Sequence, residues 1–160
     1  MKTFTVNGFS VTIRTKPAFE AAGFSRHVKL DGTGISTFLQ TLTETGRLAA
    51  LHQTGQPVWV CLSPAEEPGF DCRCTVCIET GGEPPLPAED RYRFSVSPSD
   101  WADFLVNEHQ SPEELHQHDV YRMVEEIGYT FNWQVGLHFD NEHDWLPGKT
   151  MHFLLPFIPR

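Results

Sequence analysis

The chain has 160 residues and a mass of 18.2 kDa, with 39% hydrophobic and 21% charged residues, which favours one globular domain over a disordered chain. Twelve Lys and Arg residues against 21 Asp and Glu give a net charge of -9, and such a charge repels nucleic-acid phosphates. No segment approaches the roughly 18 apolar residues of a membrane span, and the N-terminus lacks the apolar core of a signal peptide. We therefore expect a cytoplasmic protein that does not contact nucleic acid or membrane directly.

Residues 9–30 alternate apolar and polar side chains, and Pro17 interrupts the alternation. Because proline cannot donate a hydrogen bond within a sheet, this pattern predicts one long edge strand that is broken at Pro17. After a glycine-containing turn, apolar residues return at helical spacing: Ile35, Phe38, Leu39 and Leu42. This spacing predicts an amphipathic helix to about Thr45, followed by an apolar helical turn after Gly46.

A hairpin is predicted next. Residues 58–62 are a short apolar run that indicates a buried strand, and residues 70–79 alternate as a second strand does. The intervening residues 63–69 are rich in Pro and Glu and form the turn. Residues 80–90, near the middle of the chain, contain three prolines and two glycines and have the composition of a connector.

The second half repeats this order. Residues 92–106 indicate a strand that Pro98 interrupts. Residues 111–114, Ser-Pro-Glu-Glu, predict a helix start, with serine as the cap and the second glutamate reaching back to it. The predicted buried stripe of this helix is Val120, Met123, Val124 and Ile127. Gly128 ends it, and residues 136–158 form a second hairpin around a polar turn.

Each half therefore contains a proline-broken strand, a helix and a hairpin. This order predicts an internal repeat within a single domain, with units over about residues 1–80 and 91–160. The expected fold class is α+β. In it, duplicated β-α-β-β units form one antiparallel sheet with two helices on one face and a central groove.

Several segments together carry a family resemblance: Lys16-Pro17-Ala18-Phe19, Ala22-Gly23, residues 70–76 and 96–104, Gly128-Tyr129, Phe139-Asp140 and Leu155-Pro156-Phe157. In this order they resemble the GyrI-like effector-binding domain, which occurs in some AraC- and MerR-type multidrug regulators and as a free-standing protein. The resemblance covers essentially the whole chain. It implies a groove rimmed by aromatic rings that holds hydrophobic and often cationic small molecules against a buried carboxylate.

Asp140 lies where the resemblance implies that carboxylate, on the first strand of the last hairpin. It is one methylene shorter than the family's usual glutamate. Glu142 stands where the family usually has a tyrosine, so Glu142 is a second candidate for the ligand-binding acid. The alternative is that Asp140 is a strand acid that faces solvent, and burial of the carboxyl group distinguishes the two.

Flat aromatic rings provide large apolar contacts, and a cation binds over their faces. The rings that are candidates to line the groove are Trp59, Tyr92, Phe94, Trp101, Phe104, Trp133, Phe139 and Trp145. Trp101 and Trp145 have the most polar neighbours, and we therefore expect these two rings to be the least buried. We expect most of the other rings to lie in the hydrophobic core.

Two clusters suggest a metal. The first consists of four cysteines, Cys61, Cys72, Cys74 and Cys77, but strand alternation places Cys72 and Cys74 on one face and Cys77 on the other. We therefore expect reduced, metal-free thiols. The second consists of His138, Asp140, Glu142, His143 and Asp144, with His152 across the hairpin. Because polar turns commonly carry such residues for solubility, we expect no metal or cofactor there either.

The expected function is that of a free-standing protein that binds hydrophobic, cationic aromatic small molecules in the groove between the two halves. Because the chain begins at its first strand, a helix-turn-helix of its own is not expected. Two alternatives remain open. One is a hydrolase of strained electrophilic natural products that uses a groove carboxylate, as in a few members of the resembled family. The other is an interaction protein of the gyrase-inhibiting type, whose partner is a regulator or gyrase.

Overall fold

A computed structural model describes residues 2–31, 33–87, 89–111, 114–115, 117–141 and 151–160, without the side chains of residues 138, 140, 141 and 151. The elements in chain order are β1 (Lys2–Val6), β2 (Phe9–Lys16), β3 (Phe19–Val28), α1 (Gly34–Glu44), α2 (Arg47–His52), β4 (Trp59–Pro64), β5 (Cys72–Thr80), β6 (Arg91–Val96), β7 (Ser99–Val106), α3 (Val120–Glu126), β8 (Tyr129–Phe131), β9 (His138–Asn141) and β10 (Met151–Pro159). Strands pair antiparallel, and the α+β class predicted from the sequence is confirmed.

The chain divides into two compact units. Unit 1 consists of Met1–Ala18 and Ser97–Arg160, and unit 2 consists of Phe19–Val96. The chain passes from one unit to the other beside Pro17 and beside Pro98, so the two parts of each interrupted strand belong to different units. These bounds differ from the sequence halves, and the assignment of the whole chain to one domain stays a prediction.

The two units have the same strand arrangement. In unit 2 the strand order is β4-β5-β3-β6, and in unit 1 it is β9-β10-β7-β2-β1, with β8 also paired to β10. In each unit a hairpin, β4/β5 or β9/β10, flanks a central strand, β3 or β7. The strand on the other side of that central strand comes from a distant part of the chain. This shared order agrees with the predicted duplication.

The strand break at Pro17 is confirmed, but the prediction of an edge strand is wrong. Strand β2 lies between β1 and β7, and β3 lies between β5 and β6. Sequence analysis missed β1, which joins β2 through a tight turn at Asn7 (φ 51°) and Gly8 (φ 82°). Both turn residues have positive φ, and this requirement explains the Asn-Gly pair.

Helix α3 supplies the helical layer of unit 1. Its buried side chains Val120, Met123 and Val124 pack into a core with strands β2, β7 and β10. The hydroxyl group of Ser111 accepts a hydrogen bond from the backbone nitrogen of Glu114 (3.1 Å), as expected for a cap. Helix α3 itself begins only at Val120, because the Asp119 carboxylate accepts hydrogen bonds from the next backbone nitrogens and caps a new helix.

Helices α1 and α2 cover one face of the unit 2 sheet. Phe38, Leu42 and Leu51 are buried against a core that includes Phe24 and Val76. The predicted amphipathic helix and the apolar turn after Gly46 are both confirmed. In the described part of the chain, no helix has the length and apolarity needed to cross a membrane.

Candidate aromatic binding face

Residues that lie opposite one another in an antiparallel pair project to the same face of the sheet, and side chains alternate along each strand. In unit 2, Phe24 and Val76 face the helices, so the alternate residues occupy the opposite face. One row across that face consists of Trp59, Cys77, Gly23 and Tyr92, and the next row consists of Glu79, Ala21 and Phe94. We call these seven residues the aromatic face.

Small side chains form the floor of the aromatic face. Trp59 and Tyr92 are three strand spacings apart, about 14 Å, and Gly23, Cys77 and Ala21 lie between the rings. A Cβ atom on Gly23 would lie 2.6 Å from the Cα atom of Cys77, which is closer than real contacts allow. Only glycine therefore fits here, and no large side chain stands between Trp59 on one side and Tyr92 on the other.

The three rings of the aromatic face are all half-buried. Tyr92 and Phe94 stack with 5.7 Å between ring centroids and 30° between ring planes. Glu79 is exposed and shares its row with Phe94. Apolar ring surface and a carboxylate therefore occur together on one face, which is the combination that attracts an aromatic cation.

A polar group borders the aromatic face beside Tyr92. The guanidinium carbon of Arg73 lies 4.5 Å from the Tyr92 ring centroid. Arg73 Nη1 donates to Ser25 Oγ (2.8 Å), and Nη2 donates to Glu66 Oε2 (2.8 Å). Arg73 Nε is buried and has no hydrogen-bond partner among the described residues. The ring face of Tyr92 therefore already carries a cation of the protein itself.

The cysteines lie as the strand alternation predicted. Cys72 and Cys74 belong to the helix-covered core of unit 2, whereas Cys61 and Cys77 are buried on the opposite face. Burial raises the pKa of the Cys77 thiol far above its usual value, so this thiol stays protonated at neutral pH. The described residues contain no cluster of three metal-ligating side chains. That the thiols are reduced and metal-free in solution stays a prediction.

The equivalent face of unit 1 is filled by large side chains. Trp101 is 1% exposed, and its ring centroid lies 5.6 Å from that of Phe139, which is also buried. The expectation that Trp101 is among the least buried rings is therefore wrong. The polar neighbours Ser99 and Asp100 suggested an exposed ring, but β7 is a central strand. Trp101 lies between Arg14 of β2 and Pro156 of β10.

A buried carboxylate lies on this filled face, and it belongs to Asp103, which is 6% exposed. Arg14 Nε donates to Asp103 Oδ2 at 3.0 Å, and His152 Nδ1 lies 2.7 Å from Asp103 Oδ1. The hydrogen bond with Asp103 raises the pKa of His152, against a smaller lowering by burial. Sequence analysis missed Asp103, although an acid between the apolar Ala102 and Phe104 in a strand was a usable signal.

The remaining predicted site residues are placed as follows. Phe104 is fully buried in the core of unit 1, with its ring centroid 6.1 Å from that of Phe153. The backbone of Asp140 pairs with Phe153 in β9, but the Asp140 side chain and the whole of Glu142 and Trp145 lie outside the described residues. Of the proposed histidine and carboxylate metal cluster, only the His152 side chain is described. Trp133 is 80% exposed in unit 1.

Comparison with known proteins identifies the fold. No protein-family model matches the sequence, and no curated protein matches it either. Among solved structures, SAV2435 bound to tetraphenylphosphonium is similar with a TM-score of 0.68 and 12% identity, over 92% of this chain and 93% of that chain. The EcmrR C-terminal domain is similar with a TM-score of 0.63 and 11% identity, over 95% and 99% of the two chains.

A third similar structure is a hydrolase from Listeria innocua. Its TM-score is 0.56 at 9% identity, over 92% of this chain and 91% of that chain. At such identities these likenesses establish the fold alone. The chain has the fold of a GyrI-like effector-binding domain, and the recognition made from the sequence is confirmed at that level.

Proposed function

We propose that this protein binds hydrophobic aromatic small molecules, with a preference for cations, on the aromatic face of unit 2. The observation that carries the proposal is the row of Trp59, Cys77, Gly23 and Tyr92, in which two half-buried rings lie on either side of a floor of small residues. Flat ligands gain dispersion and apolar contact from such rings at little conformational cost.

The preference for cations follows from the charges around the rings. Glu79 places a carboxylate on the aromatic face, and the faces of Trp and Tyr rings attract positive charge. The net charge of -9 raises the local concentration of cations over that of anions. A structural neighbour has been solved with tetraphenylphosphonium, which makes this aromatic cation a suitable probe.

Titration calorimetry with tetraphenylphosphonium tests the proposal. Trp59→Leu removes one ring wall, and we expect the affinity to fall about tenfold, or about 1.4 kcal/mol. Trp133→Leu is the matched control, because Trp133 is an exposed tryptophan of unit 1. Equal affinities of the two variants would contradict the proposed site.

The carboxylate is tested separately. Glu79→Gln keeps the shape of the side chain and deletes its charge, and we expect a threefold to tenfold loss of affinity, about 0.7 to 1.4 kcal/mol, because Glu79 is exposed and screened. Asp140→Asn tests the acid that the family resemblance favours. A larger loss for Asp140→Asn than for Glu79→Gln would transfer the role of the ligand carboxylate to Asp140.

A hydrolase is the second candidate function. The observation that favours it is the 2.7 Å contact between His152 Nδ1 and the buried Asp103, because a carboxylate that orients an imidazole is the arrangement of a general base. The test is turnover of an aryl epoxide or an activated ester by the wild type and by His152→Gln. Hydrolysis that depends on His152 supports an enzyme, and hydrolysis unaffected by the substitution excludes this dyad as its source.

A further inference from the structure

We propose that Arg73 is a resident cation that competes with the ligand for the ring of Tyr92 and so sets how tightly the aromatic face binds cations. The inference rests on the proposed function, since it concerns the same face. It adds a specificity-determining residue that none of the sequence patterns singled out. Arg73 lies opposite His27 in the β3/β5 pairing and reaches along the sheet to the Tyr92 ring.

The position of Arg73 is that of a bound cation. Its guanidinium carbon is 4.5 Å from the Tyr92 ring centroid, within the range over which a ring attracts a positive charge. Hydrogen bonds to Ser25 and Glu66 hold it there, and its side chain is only 15% exposed. A ligand cation that reaches Tyr92 therefore meets both an occupied ring face and a like charge.

The hydrogen bonds of the Arg73 guanidinium group are only partly satisfied in this position, so Arg73 is displaceable. Its Nε atom is buried and has no hydrogen-bond partner among the described residues, which is unfavourable for a charged donor. Its partner Glu66 is 65% exposed. Arg73 therefore regains hydration for the unpaired Nε when it moves outward toward solvent, and it can keep its ion pair with Glu66 as it does so.

The consequence is selection by charge and by size. A small cation that contacts only Trp59, three strand spacings from Tyr92, leaves Arg73 in place. A larger cation that also covers Tyr92 must displace the guanidinium group, which weakens its binding. Arg73 strengthens the binding of an aromatic anion of the same size, because the positive guanidinium group attracts the negative charge.

Binding of two nearly isosteric probes tests the inference: tetraphenylphosphonium, a cation, and tetraphenylborate, an anion. Arg73→Met keeps an unbranched apolar side chain over the inner part of the arginine and removes the charged guanidinium group. We expect Arg73→Met to bind tetraphenylphosphonium threefold to tenfold more tightly than the wild type and to bind tetraphenylborate less tightly. Glu66→Gln loosens Arg73 without touching the sheet, and we expect a smaller gain for the cation.

Arg93→Met is the matched control. It removes the same charge from unit 2, but Arg93 is exposed and pairs with Glu20 and Glu83. Arg93 lies opposite Ala22, on the face of the sheet that the helices cover. A gain for Arg73→Met that Arg93→Met does not show supports the inference. An unchanged or weaker cation affinity in Arg73→Met, or an equal gain in both variants, overturns it and leaves the proposed function intact if the wild type binds the cation.

Two further outcomes are also decisive. If neither the wild type nor any variant binds tetraphenylphosphonium, the proposed function and the inference fall together. If Arg73→Met does not fold, as judged by its thermal unfolding transition, Glu66→Gln decides. A cation affinity of Glu66→Gln equal to that of the wild type then overturns the inference.

Discussion

The central strands of the two units, β3 and β7, have equivalent neighbours but carry side chains of very different size. When Phe24 is aligned with Phe104, both phenylalanines lie in a core beneath helices. The residues that face away from the helices are Ala21, Gly23 and Ser25 in β3, and Trp101, Asp103 and Leu105 in β7. The same backbone arrangement therefore gives a low floor in unit 2 and a filled surface in unit 1.

Two rings at equivalent register positions illustrate the effect. In unit 1, Asp103, Leu154 and Phe139 lie side by side on three adjacent strands. In unit 2, Gly23, Cys77 and Trp59 lie side by side in the same way. Phe139 is buried beside Trp101, whereas Trp59 is half-buried, and the residue that corresponds to Trp101 is Ala21. The size of one residue on the central strand thus accompanies a difference in burial of the neighbouring ring, which is buried in unit 1 and half-buried in unit 2.

Substitution of Gly23 should have the largest effect. Gly23→Ala places a Cβ atom against the backbone of β5, so we expect the free energy of unfolding to fall by about 3 kcal/mol or more, through overpacking between β3 and β5. Urea denaturation measures the change. Gly81→Ala is the control, since no atom lies within 4 Å of a Cβ there. Equal stability of the two variants would show that the floor tolerates a side chain.

Substitution of Ala21 should close the aromatic face. Ala21→Trp copies onto β3 the tryptophan that fills the equivalent position of β7, and the added ring should cover Trp59 as Trp101 covers Phe139. We expect at least a tenfold loss of tetraphenylphosphonium affinity, about 1.4 kcal/mol, in calorimetry. Ala21→Ser is the control, with affinity within twofold of the wild type. Undiminished binding by a folded Ala21→Trp variant would remove the distinction between the two faces.

The smallest predicted effect concerns the charge cluster of unit 1. The pKa of His152 is raised by Asp103 in the folded protein, so the pair stabilises the fold fully below the unfolded pKa of about 6.5 and loses this contribution as the pH rises through the folded pKa. His152 is 38% exposed, and screening limits the contribution to less than about 1 kcal/mol.

His152→Gln tests this pH dependence. We expect the wild type to be more stable than the variant at pH 5.5, with a smaller difference at pH 8.5, in denaturation measured at both values. His109→Gln replaces a histidine that is 85% exposed and serves as the control. A stability difference for His152→Gln that does not change with pH would mean that protonation of His152 is not linked to folding.

Local patterns predicted most of the elements. Pro17 and Pro98 marked the strand breaks, the spacing of Phe38 and Leu42 marked α1, and the β4/β5 hairpin followed from its apolar run and turn. The helix after Ser111 was predicted as one element, because Asp119 was not recognised as a cap. The Asn7-Gly8 turn was available in the sequence and would have revealed β1.

Long-range pairing could not be predicted from local patterns. Periodicity shows which residues share a face of a strand, but it does not show that β2 pairs with β7 and β3 with β6. For this reason the sequence did not show that Trp59 shares a face with Tyr92 and Phe94. Gly23 and Glu79 were not predicted to lie beside these rings, because their positions depend on neighbours on other strands.

Binding of aromatic cations to the face formed by Trp59, Tyr92 and Phe94 is the proposal on which the other binding predictions depend. Intermolecular nuclear Overhauser effects between the phenyl protons of tetraphenylphosphonium and the assigned aromatic protons of the protein test it most directly. We predict contacts to the rings of Trp59, Tyr92 and Phe94 and none to the buried Trp101. Saturable binding with contacts only to other residues, such as the exposed Trp133, would contradict the account.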